Sequence, residues 1–126
     1  MRYEDLLEEA ANMGVAVEER FLIAGKCGYY YDAVRLIVID ENMPGYMRCC
    51  TLVHELAHAR YRDHDCRDAK AERRARRETA LRLVDPAEYA VAERIFGGDS
   101  YLIACELNVT VQVIEDYKQL LHDSVA

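Results

Sequence analysis

The chain has 126 residues, 52% of them hydrophobic and 31% charged, which is the balance of a soluble globular protein filling one domain, residues 1–126, around a single core. A formal charge of −7 argues against general affinity for nucleic acid, which needs basic surface to displace counterions. The longest aliphatic run, Leu36-Ile37-Val38-Ile39, is far too short to span a bilayer.

The first stretch, MRYEDLLEEAANMG, is acidic and amphipathic, and it reads as neither a secretory signal nor a transit peptide. Tyr3, Leu6, Leu7, Ala10 and Ala11 recur at helical spacing, and Gly14 stands where the helix should stop. Val15–Val17 and Arg20–Ala24 read as short strands, and Gly25-Lys26-Cys27-Gly28 as a turn leading into YYYDAVRLIVID. The pattern predicts a small antiparallel sheet, a β-hairpin or meander, closed off by Asn42-Met43-Pro44-Gly45. A helix is expected from Tyr46 to Arg60 with Cys49, Leu52, Val53 and Leu56 as its core stripe, and a second from Asp68 to Val84. Asp85-Pro86 opens a third, as N-cap and first helical residue, which ends at Gly97-Gly98. Ser100–Leu107 and Val111–Leu121 complete the chain, with Thr110 as an N-cap. Strands first and helices after make the class α+β.

HELAHARYRDH, residues 54–64, gathers three of the chain's four histidines. On a helix His54 and His58 lie one turn apart on one face and can share one ion. Glu55 stands beside the first of them, placed to act on a water at the metal without being a ligand, as in the HExxH zinc peptidases. A catalytic zinc needs a third protein ligand, and three residues downstream qualify. His64 has the spacing of the longer HExxHxxGxxH motif, but Tyr61 replaces the glycine that would swing it back, so a place at the site rim is expected. Glu78 has Arg74 and Arg82 four residues to either side, the pattern of an exposed, ion-paired face. Glu72 shares its face with Ala75, Thr79 and Leu83 and should point inward, which makes it the better ligand. Tyr61 and His64 are the nearest candidates for a second hydrogen bond to a developing oxyanion, a contribution of roughly 3 kcal/mol. Cys66 is close enough in sequence to ligate zinc, although the five cysteines as a set read as reduced, mostly buried thiols of a cytoplasmic protein.

HELAHARYRDH followed by KAERRARRETALRLVDPAEY resembles the ImmA/IrrE family of zinc metallopeptidases, particularly its short phage and mobile-element members. The resemblance covers Ala16 to Leu121 and implies a minimal zincin-like fold with the sheet packed on the HExxH helix. It implies Zn2+ held by His54, His58 and Glu72, Glu55 as the catalytic base, and endopeptidase action on a helix-turn-helix transcriptional repressor of a phage or mobile element. The family commonly carries Asp or Asn four residues after the ligand glutamate, an acceptor for a histidine N–H. Here that residue is Arg76, so the acceptor is expected from Asp63, Asp65, Asp68 or a backbone carbonyl.

The run from Arg67 to Arg82 holds seven Arg or Lys against three acids, which reads as a solvated helix face or as a docking stripe for an acidic surface. Residues 99–122 look like a helix-turn-helix hairpin within the domain. The second helix opens with Val111, Gln112, Val113, Glu115 and Asp116, a poor set for reading base edges, so structural packing or repressor recognition is expected and direct nucleic-acid binding is not. Tyr29-Tyr30-Tyr31 can form an edge strand that pairs with an extended substrate. The rival to a peptidase is a non-catalytic antirepressor with a structural or degenerate zinc site. Arg76 supports that rival, whereas an intact Glu55, of no use to a structural site, supports catalysis.

Overall fold

The computed structural model describes residues 1–23, 25–64 and 68–125. Its elements run α1 (Tyr3–Asn12), β1 (Ala16–Arg20), β2 (Gly28–Tyr31), β3 (Leu36–Asp40), α2 (Gly45–Arg60), α3 (Ala69–Leu83), α4 (Pro86–Phe96), α5 (Ser100–Leu107) and α6 (Val111–Ser124). The class is α+β, as strands followed by helices predict.

The aliphatic run becomes β3, the middle strand, with Ile37, Val38 and Ile39 fully buried. A strand covered on both faces reads as a continuous apolar stretch instead of an alternating one. β2 pairs with it antiparallel across a 3-10 turn at Asp32–Val34, so a hairpin forms, but within YYYDAVRLIVID and not about the turn expected at Gly25–Gly28. β1, however, joins β3 in parallel, Ala16 opposite Leu36 and Arg20 opposite Asp40, giving a mixed sheet of order β1-β3-β2 in place of an antiparallel meander. With both flanks of β3 taken, residues 21–27 must cross its end, two strand spacings or roughly 10 Å. That crossing leaves no slot for the strand expected at Arg20–Ala24. Phe21 and Ile23 lie exposed in an irregular segment, and Ala24 is outside the described residues. The Asp40 amide donates to the Cys27 carbonyl (2.8 Å) and the Glu41 amide to that of Arg20 (2.9 Å), pinning both ends of the crossing.

α2 is shared between two cores. Leu52, Val53, Leu56 and Ala59 pack with Leu6 and Ala10 of α1 and with Ile37 and Ile39 of β3. Cys50 faces a second cluster built from Ala80, Val84, Tyr89, Ile103, Ile114 and Tyr117. Each buried Leu or Ile contributes about 1.5–3 kcal/mol, so α2 is fixed from both sides. Cys50, not Cys49, is the buried member of that pair, and Cys27 and Cys105 are exposed, so the expectation of mostly buried thiols is corrected among the described residues.

Asp68, Asp85, Asp99 and Thr110 each accept a first-turn amide as N-cap, an interaction of about 1 kcal/mol. The Asp68 cap, on the amides of Lys70 (3.0 Å) and Ala71 (3.3 Å), matters most. It fixes where α3 begins as the chain returns along α2, and so which residue of its first turn meets the histidines.

Candidate metal centre

The HELAH segment lies in the second half of α2. His54 and His58 stand one turn apart on α2, their ring centroids 4.9 Å apart and nearly perpendicular. Glu72, from the first turn of α3, lies between them, with Oε1 3.0 Å from His54 Nε2 and Oε2 3.2 Å from His58 Nε2. One donor atom from each of the three falls within 4.8 Å of the others. Two imidazoles and a carboxylate are a donor set suited to zinc, and these side chains fit that ion. The hydrogen bonds from His54 and His58 hold the Glu72 carboxyl well below the usual carboxylate range.

His58 has a further acceptor. Its Nδ1 is 2.8 Å from Asp63 Oδ2, so Nδ1–H donates there and Nε2 is turned toward Glu72. Asp63 therefore does for the histidine what Arg76 cannot. Asp63 is steadied by Arg74, whose guanidinium donates to its other oxygen and stacks over the Tyr61 ring at 4.0 Å. The Tyr61 hydroxyl donates to Glu78 (2.5 Å), which also accepts from Arg60 (3.0 Å). Burial opposes charge on His58, but the hydrogen bonds to Glu72 and Asp63 overcome it and raise the ring to about 9. Glu55 is 7% exposed, and that burial raises its pKa against the opposing pull of His54 and His58. A carboxyl so placed is suited to take and return a proton.

Long-range contacts aim the loop after α2. Arg62, in the left-handed region at φ 54, donates through Nε to Asp32 Oδ1 (2.8 Å) and through Nη2 to Oδ2 (3.3 Å). Tyr30 adds a bond to the same carboxylate at 2.6 Å. Arg62 first, then Tyr30, hold Asp32 down to about 2. Arg35 donates to Tyr30 Oη, to the carbonyl of Ala59 and to that of Met13, tying the hairpin to the end of α2. Asp32, Arg35 and Arg62 escaped sequence reasoning, because each acts across 22 to 30 positions.

The other candidates fall elsewhere. His64 is not in the His54–His58–Glu72 group; it stands at the rim, mostly exposed, with Nδ1 3.3 Å from Asp32 Oδ2. Tyr61 spends its hydroxyl on Glu78. Glu78 is an ion-paired residue as expected, but with Arg60 of the α2 end and with a hydrogen bond from Tyr61, because Arg74 is taken by Asp63 and Arg82 by Glu9. Asp68 caps α3. Cys66 and Asp65 lie outside the described residues.

Two cavities meet at the cluster and share Gly28, His54, Glu55 and Glu72. The smaller, about 230 Å³, is bounded by β2 and the loop carrying Asp63 and His64. The larger, about 600 Å³, lies between α2, α3 and the start of α6. Gly28 lets β2 press against α2 here: a Cβ at this position would stand 2.7 Å from the Val38 carbonyl oxygen and 2.9 Å from Thr51 Cγ2.

The family model Peptidase_M78, described as IrrE N-terminal-like domain, matches residues 10–115. Neither the curated proteins nor the solved structures give a significant match to the chain.

Proposed function

The chain belongs to the IrrE N-terminal-like peptidase family, Peptidase_M78, and from that premise we propose that it is a zinc-dependent endopeptidase whose substrate is a helix-turn-helix repressor of a phage or mobile element. The observation that carries the proposal is the convergence of His54, His58 and Glu72 within 4.8 Å beside the buried Glu55. His54, His58 and Glu72 would hold the ion. Zinc, when bound, lowers the pKa of a water and polarises a carbonyl. Glu55 takes a proton from the attacking water and returns it to the leaving amine. The burial that raises its pKa favours the protonated form it holds between those two steps. Asp63 orients the His58 ring throughout. Of the two expected oxyanion donors His64 is the better placed, since it lines the smaller cavity whereas the Tyr61 hydroxyl is committed to Glu78.

β2 lies at one edge of the sheet, with Tyr29 and Tyr30 lining the smaller cavity. An extended substrate segment pairs along this edge, which sets its backbone beside the cluster. Proline substitutions along β2 that left cleavage unchanged would contradict that placement. The antirepressor reading drew its support from Arg76, and Asp63 now fills the role Arg76 lacks. Among the described residues no helix is long and apolar enough to cross a membrane, and Cys27, Cys49, Cys50 and Cys105 are unbridged.

The test is incubation of the zinc-loaded protein with purified helix-turn-helix repressors, beginning with any that genome sequencing finds encoded beside its gene. Cleavage at one bond is expected, abolished in Glu55→Gln with zinc content unchanged. An intact repressor that binds the protein without being cut would favour the antirepressor instead.

A further inference from the structure

Arg76 lies one turn after Glu72 on α3, so it faces the larger cavity from the wall that carries the candidate ligand. Opposite stands α6. The Arg76 guanidinium donates through Nε to Asp116 Oδ2 (3.2 Å) and through Nη2 to Oδ1 (3.0 Å), while Gln112 Nε2 donates to Oδ1 at 2.9 Å. Asp116 thus accepts three N–H groups and has little capacity left. A guanidinium carries five N–H donors, and only two of those on Arg76 are used in this fork; Nη1 makes no hydrogen bond among the described residues. The fork also fixes the guanidinium plane, so the remaining donors are presented without further ordering. Arg76 is 39% exposed against 17% for Asp116. Of the pair, the cation is the one a ligand meets. Arg73 and Arg77, both exposed, border the adjoining groove with Arg76, so its three arginines outnumber the two carboxylates there, Asp116 and Asp123.

We propose that the larger cavity receives the substrate side chain next to the scissile bond, and that Arg76 is the residue that determines its specificity, selecting an acidic side chain. This rests on the peptidase reading and adds the substrate class to it. A carboxylate entering from the cluster side meets the unspent N–H groups of Arg76 with Met47 and Val113 along the walls. A lysine or arginine side chain would meet a cation in front and an aspartate whose acceptors are occupied. Because Asp63 already accepts from His58, Arg76 is free of that task and can read the substrate.

The test uses three peptidyl hydroxamates, identical except for a glutamate, leucine or lysine side chain adjacent to the zinc-binding group, titrated against zinc-loaded protein. The glutamate probe is expected to bind roughly ten- to a hundredfold tighter than the lysine probe. Arg76→Ala should abolish the preference for the glutamate probe over the lysine probe while leaving zinc content unchanged. Arg76→Glu should reverse the order, a gain that misfolding cannot produce. Equal binding of glutamate and lysine probes by the wild type, or a preference that survives Arg76→Ala, would overturn the inference and leave the peptidase reading standing. Failure of all three probes to bind zinc-loaded protein would overturn both.

Discussion

His54 and His58 are neighbours on one helix face, yet their surroundings differ. His58 is 8% exposed and held at both ring nitrogens, by Glu72 and by Asp63, behind which stand Arg74, Tyr61, Glu78 and Arg60. His54 has Glu72 as its polar partner and borders both cavities. One flank of the site is braced and the other open. The proposed peptidase, which must both hold an ion and admit a polypeptide, would need that inequality: rigidity where the ligand is oriented, clearance where the chain enters.

The comparison breaks first at the ligands. His58→Ala removes a donor and leaves Asp63 and Glu72 facing each other across a vacated site, so stoichiometric zinc binding should be lost on dialysis. Asp63→Ala keeps all three ligands but frees the His58 ring. Zinc affinity, measured by competition with a chromophoric chelator, should fall about 10- to 100-fold. Arg76→Ala, on the open flank, should leave that affinity unchanged. If Asp63→Ala and Arg76→Ala weakened zinc alike, the two flanks would not differ as described.

A smaller effect separates the flanks by pH in the metal-free protein. His58 is raised from 6.5 to about 9, so its contribution to stability is fully present below pH 6.5 and is lost as pH rises through 9. Glu72 is lowered from 4.5, so its contribution is present above pH 4.5 and is lost as pH falls below it. The chelated protein should therefore melt lower at pH 9 than at pH 6, and Asp63→Ala should flatten that difference, since it removes one of the two bonds raising His58. Zinc competes with the His58 proton, so its affinity should climb between pH 6 and 9. Gly28→Ala tests the wall between the cavities: its Cβ would meet the Val38 carbonyl oxygen before Thr51, so β2 must shift against both β3 and α2, and KM for a peptide substrate should rise with zinc content intact.

Much of the braced flank was legible from residues 54–72, because helical spacing alone puts His54 and His58 on one face and Glu72 on the inward face of the next helix. Asp63 was legible only as one acceptor among several. Its selection depends on a loop whose course is set by Arg62 at positive φ and by Asp32, 30 positions earlier. The open flank was not legible at all: Arg76 meets Asp116 across 40 positions, and no local pattern announces such a pair. The sheet shows the same limit. The run LIVI announces a buried strand, but hydrophobic pattern does not say which neighbour it takes, and the parallel pairing with β1 went unforeseen. Glu78 was read rightly as ion-paired and wrongly as to its partners, since helix spacing offers Arg74 and Arg82 but tertiary contacts claim both.

The central claim is that His54, His58 and Glu72 hold one zinc ion. Elemental analysis of the wild type beside Glu72→Ala tests it most directly, with circular dichroism to verify that both are folded. The account predicts about one zinc per chain in the wild type and a large loss in the variant. Zinc retained by Glu72→Ala, or a wild type that takes up none after reconstitution, would contradict it.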